Sequence, residues 1–253
     1  MSIELIVALI SALVAMSSAT MSFYGQVHIK KLEHELVRKR ETETKEYQAK
    51  MLLKKYRDPL LRSAFDLQSR FYNIVQQEYL QCYYSRSKSD WNREYAIIST
   101  LFVISEFMGW QEVLRREIRF LDLGDAEESR QFAKLLSNVQ EAFLSDTIDM
   151  TFCLFRGHQR AIGELMLKDN NNSSQLDCIG LAEFTEKIDM PEFSKWISNL
   201  KADIEKLAEK PGKHEERLIT VQHTLIDLID FLDDRDIRIP KKYRTKINFV
   251  REV

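Results

Sequence analysis

The first 24 residues contain the longest run of uncharged positions in the chain. Leu5 to Tyr24 is 20 residues long and holds no charged side chain. A helix rises about 1.5 Å per residue, so a run of this length spans roughly the 30 Å of a bilayer's hydrocarbon core. The pattern therefore predicts an N-terminal transmembrane anchor within residues 1–24.

Two other interpretations of this run stay open. The small residues Ala15, Ser17 and Ala19 are typical of a signal-peptide cleavage site, and a buried helix of a soluble protein is equally apolar. A signal peptide, however, begins with basic residues, and here the one charged residue before the run is Glu4. The uncleaved anchor is therefore the preferred interpretation.

Residues 25–57 are rich in charge and poor in apolar side chains. Ten basic and five acidic residues give this segment a net charge of +5. Opposite charges four residues apart, such as Glu41 and Lys45, stabilise a solvated helix. We predict a charged juxtamembrane helix whose positive excess suits anionic headgroups, and not a long coiled coil, because the heptad pattern is not sustained.

Apolar residues return at helical spacing after Tyr56, and this marks a folded domain over residues 58–234. Asp58 suits the N-cap of a helix and Pro59 its first turn. Apolar residues then recur at intervals of three and four as far as Tyr79. This pattern predicts that the first helix of the domain begins at Asp58 and Pro59.

The stretch from Tyr95 to Trp110 is apolar on nearly every side of a helix. A second membrane span is one interpretation, but the uncharged part, residues 95–105, is too short to cross a bilayer, and Glu106 interrupts it. We expect this stretch to be the central buried helix of the domain.

Four further apolar patterns predict helices, and the residues between them predict loops. The helical patterns cover residues 132–143, 151–168, 191–207 and 218–232. Residues 122–125 form a predicted turn, and residues 168–175, with three consecutive Asn, form a predicted flexible loop. No alternating pattern typical of strands occurs. The sequence therefore predicts an all-α fold, a bundle of six or seven helices.

The distribution of charge along the chain is more informative about partners than the net charge. The chain has 37 basic and 39 acidic residues and a net charge of −2, which by itself suggests no strongly charged partner. The four segments 1–24, 25–57, 58–234 and 235–253 carry net charges of −1, +5, −11 and +5. Low Gly and Pro counts favour long helices, and the normal apolar fraction excludes an intrinsically disordered chain.

The basic C-terminal tail, residues 235–253, has three interpretations. It packs back on the acidic domain, it contacts an anionic membrane surface, or it contacts nucleic acid. Packing on the domain is preferred, membrane contact comes second, and nucleic acid is the partner least expected.

Charge also predicts orientation. Lys30, Lys31 and residues 38–40 follow the predicted span, so the positive-inside rule places residues 25 onward in the cytoplasm. The three cysteines, Cys82, Cys153 and Cys178, are widely spaced and odd in number, which fits free buried thiols in a reducing compartment and not a zinc site. We expect a single-pass protein of the cell membrane with no metal and no cofactor.

Three polar groups interrupt the apolar faces of the predicted helices. They are Arg57, Asp58, Arg62, Asp66 and Arg70; Arg115, Arg116, Glu117, Arg119 and Asp122; and Arg156, Gln159, Arg160, Gly163 and Glu164. Three interpretations stay open: solvated faces with weak surface ion pairs, a buried structural network, or a site for an anionic ligand, which arginine suits because it binds phosphate through two hydrogen bonds.

Recognised catalytic motifs are absent from the sequence, with one weak exception. Arg217 and His223 form an R-x5-H pattern, which resembles the R-x4–6-H motif of HEPN ribonucleases, a family of helical bundles that cleave RNA. The resemblance covers two residues and implies that Arg217 and His223 act on a phosphodiester. The polar residue that usually follows the arginine is replaced by Leu218, which weakens this interpretation.

Several longer blocks resemble a broad set of uncharacterised, membrane-anchored helical proteins. The blocks are YRDPLLRSAFDLQSRFYNI (56–74), GWQEVLRREIRFLDLG (109–124) and FRGHQRAIGELM (155–166), with HTLIDLIDFLD (223–233) as a further match; together they cover about a quarter of the chain. The resemblance implies a membrane-anchored helical fold and no particular activity.

The sequence thus predicts a membrane-anchored interaction or regulatory module that forms a homo-oligomer or binds a protein partner. The alternative is a membrane-associated effector, either a HEPN-like ribonuclease or a membrane-disrupting oligomer.

Overall fold

The computed structural model describes residues 3–118, 127–168, 176–210 and 214–248, and these residues are almost entirely helical. They form seven α-helices, one π-helix and one 3₁₀ turn. Within these ranges no strand forms, and extended pairing is limited to an isolated antiparallel bridge between Leu167 and Cys178. The all-α prediction is confirmed.

The seven helices are α1 Ile3–Gln76, α2 Asp90–Ile118, α3 Glu127–Leu144, α4 Arg156–Leu165, α5 Leu181–Lys187, α6 Pro191–Glu209 and α7 Glu216–Leu232. The π-helix Gln81–Ser85 follows α1, and the 3₁₀ turn Lys241–Tyr243 follows α7. The sequence patterns predicted neither the π-helix nor α5, because both are too short to show a periodicity. The predicted turn at 122–125, and all of the predicted loop 168–175 except Lys168, lie outside the described residues.

The chain divides into two compact units, Met1–Gln48 and Ala49–Val253, and α1 contributes residues to both. The described part of the first unit is one continuous helix. The apolar side chains that the structure describes in this unit are exposed, and Leu13, for example, exposes 60% of its surface. Hydroxyl groups on this helix bond back to its own backbone, as Ser17 does to the carbonyl of Val14 at 2.9 Å.

The second unit does not begin with a new helix at Asp58 and Pro59, and this prediction is wrong. Helix α1 passes through both residues, with Pro59 inside it. A proline within a helix removes one backbone N–H and crowds the carbonyl of the preceding turn. Tyr56, Leu60 and Leu61 are buried in the core on either side of Pro59, and their packing offsets that local cost.

Helix α2 is the central helix of the second unit. Ala96, Leu101, Ile104 and Phe107 have no exposed surface. The stretch Asp90–Glu117 of this helix is long and apolar enough to cross a membrane. Because 72% of its apolar window is buried inside the protein, its composition is explained by the core it occupies.

Helix α4 begins five residues later than the sequence pattern predicted. Phe152 has φ of 59°, in the left-handed region, so a helix cannot include it. Its backbone N–H donates to the Asp203 carboxylate of α6 at 2.8 Å. The side chain of Asp149 accepts the N–H of Thr151 at 2.8 Å. These bonds hold residues 145–155 as an ordered turn between α3 and α4.

Two glycines allow α2 and α4 to approach closely. A Cβ atom on Gly163 of α4 would lie 2.6 Å from the carbonyl oxygen of Met108, and one on Gly109 of α2 would lie 2.8 Å from Met166 Cβ. Such distances are shorter than side-chain carbons adopt, so each position requires glycine. The close approach sets the register between the two helices.

The basic tail packs on the domain over residues 235–248. The Arg244 side chain is buried and donates to the carboxylates of Asp233 at 2.6 Å and Asp230 at 3.1 Å. Ile247 is also buried, and its N–H donates to Gln222 Oε1 at 3.2 Å. Of the three interpretations of the tail, the structure shows the packed arrangement for these residues.

Asp233 is the centre of this packing. It accepts the backbone N–H groups of Ile237, Arg238 and Ile239 at 2.9–3.0 Å, in addition to the Arg244 guanidinium. Burial alone would raise the pKa of Asp233, but the three N–H donors and the positive charge of Arg244 hold the pKa below its ordinary value.

We expect Gly163→Ala to lower the free energy of unfolding by about 1–3 kcal/mol, because the new methyl group meets the Met108 carbonyl, which cannot move without α2. The matched control is Gly157→Ala on the same helix, where an added methyl group would find nothing within 4 Å. Urea denaturation followed by circular dichroism measures both. Equal stability of the two variants would contradict the close approach of α2 and α4.

Candidate functional site

The three polar groups predicted from the sequence do not converge on one place. In the first group, Arg57 donates to the carbonyl of Leu232, and Asp58 binds Arg238 at 2.8 Å. Both residues line a wide groove of about 1150 Å³ formed with α3, α7 and the segment after α7. Acidic side chains outnumber basic ones in its lining, so this groove is poorly suited to an anion.

The other members of the first group lie elsewhere on α1. Arg70 donates to Ser99 Oγ at 3.1 Å and to Thr100 Oγ1 at 3.3 Å, and its guanidinium lies 4.2 Å from the ring centre of Tyr79. These contacts tie α1 to α2. Arg70 therefore has a structural role.

Arg62 and Asp66 face Glu106 of α2. Burial and the negative charge of Asp66 raise the pKa of Glu106 from 4.5 to about 7, against the opposing effect of Arg62. Burial also raises the pKa of Asp66. Glu106 is the charged residue that interrupts the apolar stretch of α2, and it is partly buried there.

The second and third groups meet at one pocket between α2, α3 and α4. Its volume is about 210 Å³. It is lined by Met108, Gln111, Glu112, Arg115, Gln140, Arg156, Gln159 and Arg160. Three arginines and one carboxylate give this lining a net charge of +2. The structure thus brings Arg115 together with Arg156, Gln159 and Arg160, and this pocket is the candidate site.

Glu112 positions one wall of the pocket. Its side chain is 2% exposed and accepts two hydrogen bonds from Arg115, at 2.6 and 2.7 Å, and one from Arg116 at 2.8 Å. Burial would raise the pKa of Glu112, but the bonds from Arg115 and Arg116 hold the pKa below its ordinary value. The buried carboxylate therefore stays ionised and fixes the direction of the Arg115 guanidinium.

Arg156 and Arg160 form the outer edge of the pocket. Arg156 lies 3.3 Å from Glu141, and Arg160 lies 2.9 Å from Glu164. Both arginine side chains are more than half exposed. Exposed ion pairs of this kind contribute only about 0–1 kcal/mol each, so a stronger anion can displace these carboxylates.

Three glutamines form the inner wall. Gln159 Nε2 donates to the carbonyls of Leu154 at 2.7 Å and Gln140 at 3.0 Å, and Gln140 Nε2 donates to Gln111 Oε1 at 3.4 Å. Among the described residues, Gln159 Oε1 and Gln111 Nε2 have no partner, although both are buried. The inner wall thus holds one unpaired acceptor and one unpaired donor.

The remaining predicted residues lie outside the pocket lining. Arg116 supports Glu112, Glu164 pairs with Arg160, and Glu117 accepts a hydrogen bond from the Tyr56 hydroxyl at 2.9 Å. Arg119 and Asp122 lie outside the described residues.

The sequence did not single out Gln111, Glu112 or Gln140 as site residues. Glu112 had a detectable signal, since it precedes two arginines at the i+3 and i+4 spacing of a helical ion pair. Gln111 and Gln140 had none, because their role depends on the packing of three helices.

Arg217 is fully buried, and its side chain donates hydrogen bonds to backbone carbonyl groups. Its Nε donates to the carbonyl of Thr151 at 3.0 Å, and its terminal nitrogens donate to the carbonyls of Ala142, Phe143, Ser145 and Asp149 at 2.7–3.1 Å. Two of these carbonyls belong to the last turn of α3. Arg217 therefore caps α3 and orders the turn that follows.

His223 is occupied in a separate place, where its Nε2 lies 2.7 Å from the carbonyl oxygen of Ile247. The donors of Arg217 are not directed at a shared site with His223. This geometry gives the R-x5-H pattern a structural explanation and no support for phosphodiester cleavage.

Metal-binding geometry is not found in the part of the chain that the structure describes, where no group of three or more His, Cys, Asp or Glu side chains could hold an ion. Comparison of the chain with protein-family models, with curated proteins and with solved structures gives no match. The candidate site therefore rests on the geometry of its own residues.

We expect Arg217→Met to lower the free energy of unfolding by about 3 kcal/mol or more, because it leaves several buried carbonyls without a donor. Arg217→Lys should recover only part of that loss, since one ammonium group cannot reach all of them. The control is Arg130→Met on exposed α3 surface, expected within about 0.5 kcal/mol of wild type. Equal urea midpoints for Arg217→Met and the control would refute the capping role.

We expect Glu106→Gln to change how stability depends on pH. The pKa of Glu106 is higher in the folded state, about 7, than its ordinary 4.5, so the folded protein holds a proton that the unfolded chain has released. Wild-type stability should therefore fall as pH rises from about 4.5 to 7, by roughly 2–3 kcal/mol, and the variant should lack this fall. Urea denaturation at pH 5 and pH 8 measures the free energy of unfolding of both proteins. The control is Glu94→Gln, an exposed position on α2. Parallel pH profiles for wild type and Glu106→Gln would contradict it.

Proposed function

We propose that the chain is a single-pass membrane protein whose helical domain, residues 49–248, acts as a binding module on the cytoplasmic side. The observation that carries the proposal is the exposed apolar surface of residues 3–24. Its exposed large side chains are Ile3, Ile6, Val7, Ile10, Leu13, Val14, Met16, Met21, Phe23 and Tyr24. An apolar surface of this extent is unfavourable in water by about 25 cal/mol per Å², and a bilayer removes that cost.

The flanking charges support the proposed orientation. Lys30, Lys31 and residues 38–40 follow the apolar stretch, and Glu4 is the one charge that precedes it. Basic residues are retained on the cytoplasmic side of a span. The resemblance of the blocks at 56–74, 109–124 and 155–166 to membrane-anchored helical proteins points the same way.

Exposed aromatic residues on the helical domain support a protein-contact role. The rings of Trp91 and Tyr95 stack with centroids 5.1 Å apart, and Trp91 exposes 68% of its surface. Tryptophan and tyrosine are enriched in the centres of protein interfaces. We infer that this part of α2 contacts a second copy of the chain or another protein.

The membrane proposal is tested by placing charges in the apolar stretch. We expect Leu13→Arg combined with Val14→Arg to move the full-length chain from the carbonate-washed membrane fraction to the supernatant, because each arginine costs about 2.5–3.5 kcal/mol at the centre of a span. The matched control is Leu36→Arg with Val37→Arg, two exposed apolar residues of the same helix. Equal membrane retention of both double variants would contradict the anchor, and an intact mass that lacks the N-terminal segment would indicate a signal peptide.

The orientation is read from the same preparation through Cys82, which is exposed and not buried as the sequence predicted. A membrane-impermeant maleimide should label Cys82 only after the cells are permeabilised, and Cys82→Ser identifies the signal. Labelling of intact cells would place the domain outside.

A further inference from the structure

We propose that the pocket between α2, α3 and α4 binds a small phosphate monoester that also carries a hydroxyl group, the chemistry of a sugar or polyol phosphate. This inference rests on the proposed function of the domain as a binding module and names the ligand class of the candidate site.

The charge of the pocket favours a phosphate. Arg115, Arg156 and Arg160 line it, and Glu112 is the one carboxylate in the lining. The resulting net charge of +2 matches the charge of a phosphate monoester, about −1.5 to −2 at pH 7. A monocarboxylate would leave part of this positive charge uncompensated.

The three arginines line one pocket but differ in how firmly they are held. Glu112 fixes Arg115 through two hydrogen bonds and is itself buried, so this guanidinium is held in place before a ligand arrives. Arg156 and Arg160 are one helical turn apart at the start of α4, where the positive end of the helix dipole adds to their charge. Their weak exposed partners, Glu141 and Glu164, exchange readily for phosphate oxygens.

The inner wall favours a hydroxyl group. Gln111 is 9% exposed and Gln159 is 5% exposed, and each holds one unpaired polar atom. The two carbonyls bound to Gln159 Nε2 show that its unpaired atom is the acceptor oxygen. A buried unpaired polar group is unfavourable because it has lost its hydrogen bonds to water. A hydroxyl both accepts and donates, so it can satisfy the Gln111 amide hydrogen and the Gln159 oxygen.

The volume limits the size of the ligand. The pocket volume of about 210 Å³ is below the range of about 300–1,000 Å³ that is typical of sites for drug-sized ligands. This favours a small phosphate ester over a dinucleotide. The same phosphate-and-hydroxyl chemistry occurs in a free metabolite and in an inositol phosphate headgroup of a membrane lipid.

The test uses the full chain in detergent micelles, titrated by calorimetry with ribose 5-phosphate, inorganic phosphate and unphosphorylated ribose. We expect ribose 5-phosphate to bind more tightly than inorganic phosphate, and ribose not to bind. In a parallel flotation experiment, the chain is reconstituted in one set of vesicles. It is then offered a separate set of vesicles with or without phosphatidylinositol 4-phosphate. Binding of the soluble probe assigns a metabolite, and variant-sensitive binding of the lipid alone assigns a headgroup; both support the proposal.

The variants separate ligand binding from folding. Arg156→Gln and Arg160→Gln should each weaken binding about tenfold or more, whereas Arg130→Gln, an exposed arginine of α3 outside the pocket, should leave it unchanged. Gln111→Leu should also weaken binding about tenfold, yet it should change the melting temperature of the ligand-free protein little, because it removes an unpaired buried Nε2 and loses only the long 3.4 Å bond from Gln140. A purely structural glutamine would give a lower melting temperature.

Three results would overturn the proposal: no binding of any probe, equal loss of binding in Arg130→Gln, or binding that Arg160→Gln leaves unchanged. These results are distinct from failure of the membrane proposal. The calorimetry in micelles does not depend on where the chain resides in the cell.

Discussion

The arrangement around the pocket depends on the hydrogen bonds that the Arg217 guanidinium donates to backbone carbonyl groups. The guanidinium is a buried charge on α7 whose donors are all directed at carbonyl groups of the last turn of α3 and of residues 145–151. That turn connects α3, which carries Gln140, to α4, which carries Arg156 and Arg160. A buried charge is tolerated only where hydrogen bonds replace its hydration. The bonds that satisfy Arg217 therefore also fix two walls of the candidate site relative to each other.

The third wall is fixed by shape. Gly109 and Gly163 leave room for the backbone of one helix against the other, so α4 lies on α2 in one register. That register places Arg160 near Arg115, although the two residues are 45 positions apart in the chain. Close packing and buried hydrogen bonds thus act together, because neither alone determines both the separation and the rotation of a helix pair.

In the second unit, the acidic and basic segments of the chain pair with each other. The acidic end of α7 binds the basic segment that follows it, with Asp233 and Arg244 buried at the centre and Lys246 paired with Asp227 at 2.6 Å. Charges that suggested an external partner are in large part compensated within the domain. The positive charge of the pocket is different, because it lies beside unpaired buried groups and is only weakly compensated by exposed carboxylates.

The local pattern of the sequence determined the helical class, the central place of α2 and the extents of α6 and α7, because burial imposes the 3.6-residue period on each helix separately. The same local rules placed a helix start at Pro59 and extended α4 back to residue 151. There the tertiary structure decided otherwise, through the packing of Tyr56 and Leu60 and through the bond from Phe152 to Asp203. The arginines were recognisable as unusual from their spacing, but whether they paired, supported the core or lined a pocket depended on partners distant in the chain. Only the packed structure brings Gln111, Gln140 and Gln159 together, since a hydrogen bond between side chains of different helices leaves no periodic signal in the sequence.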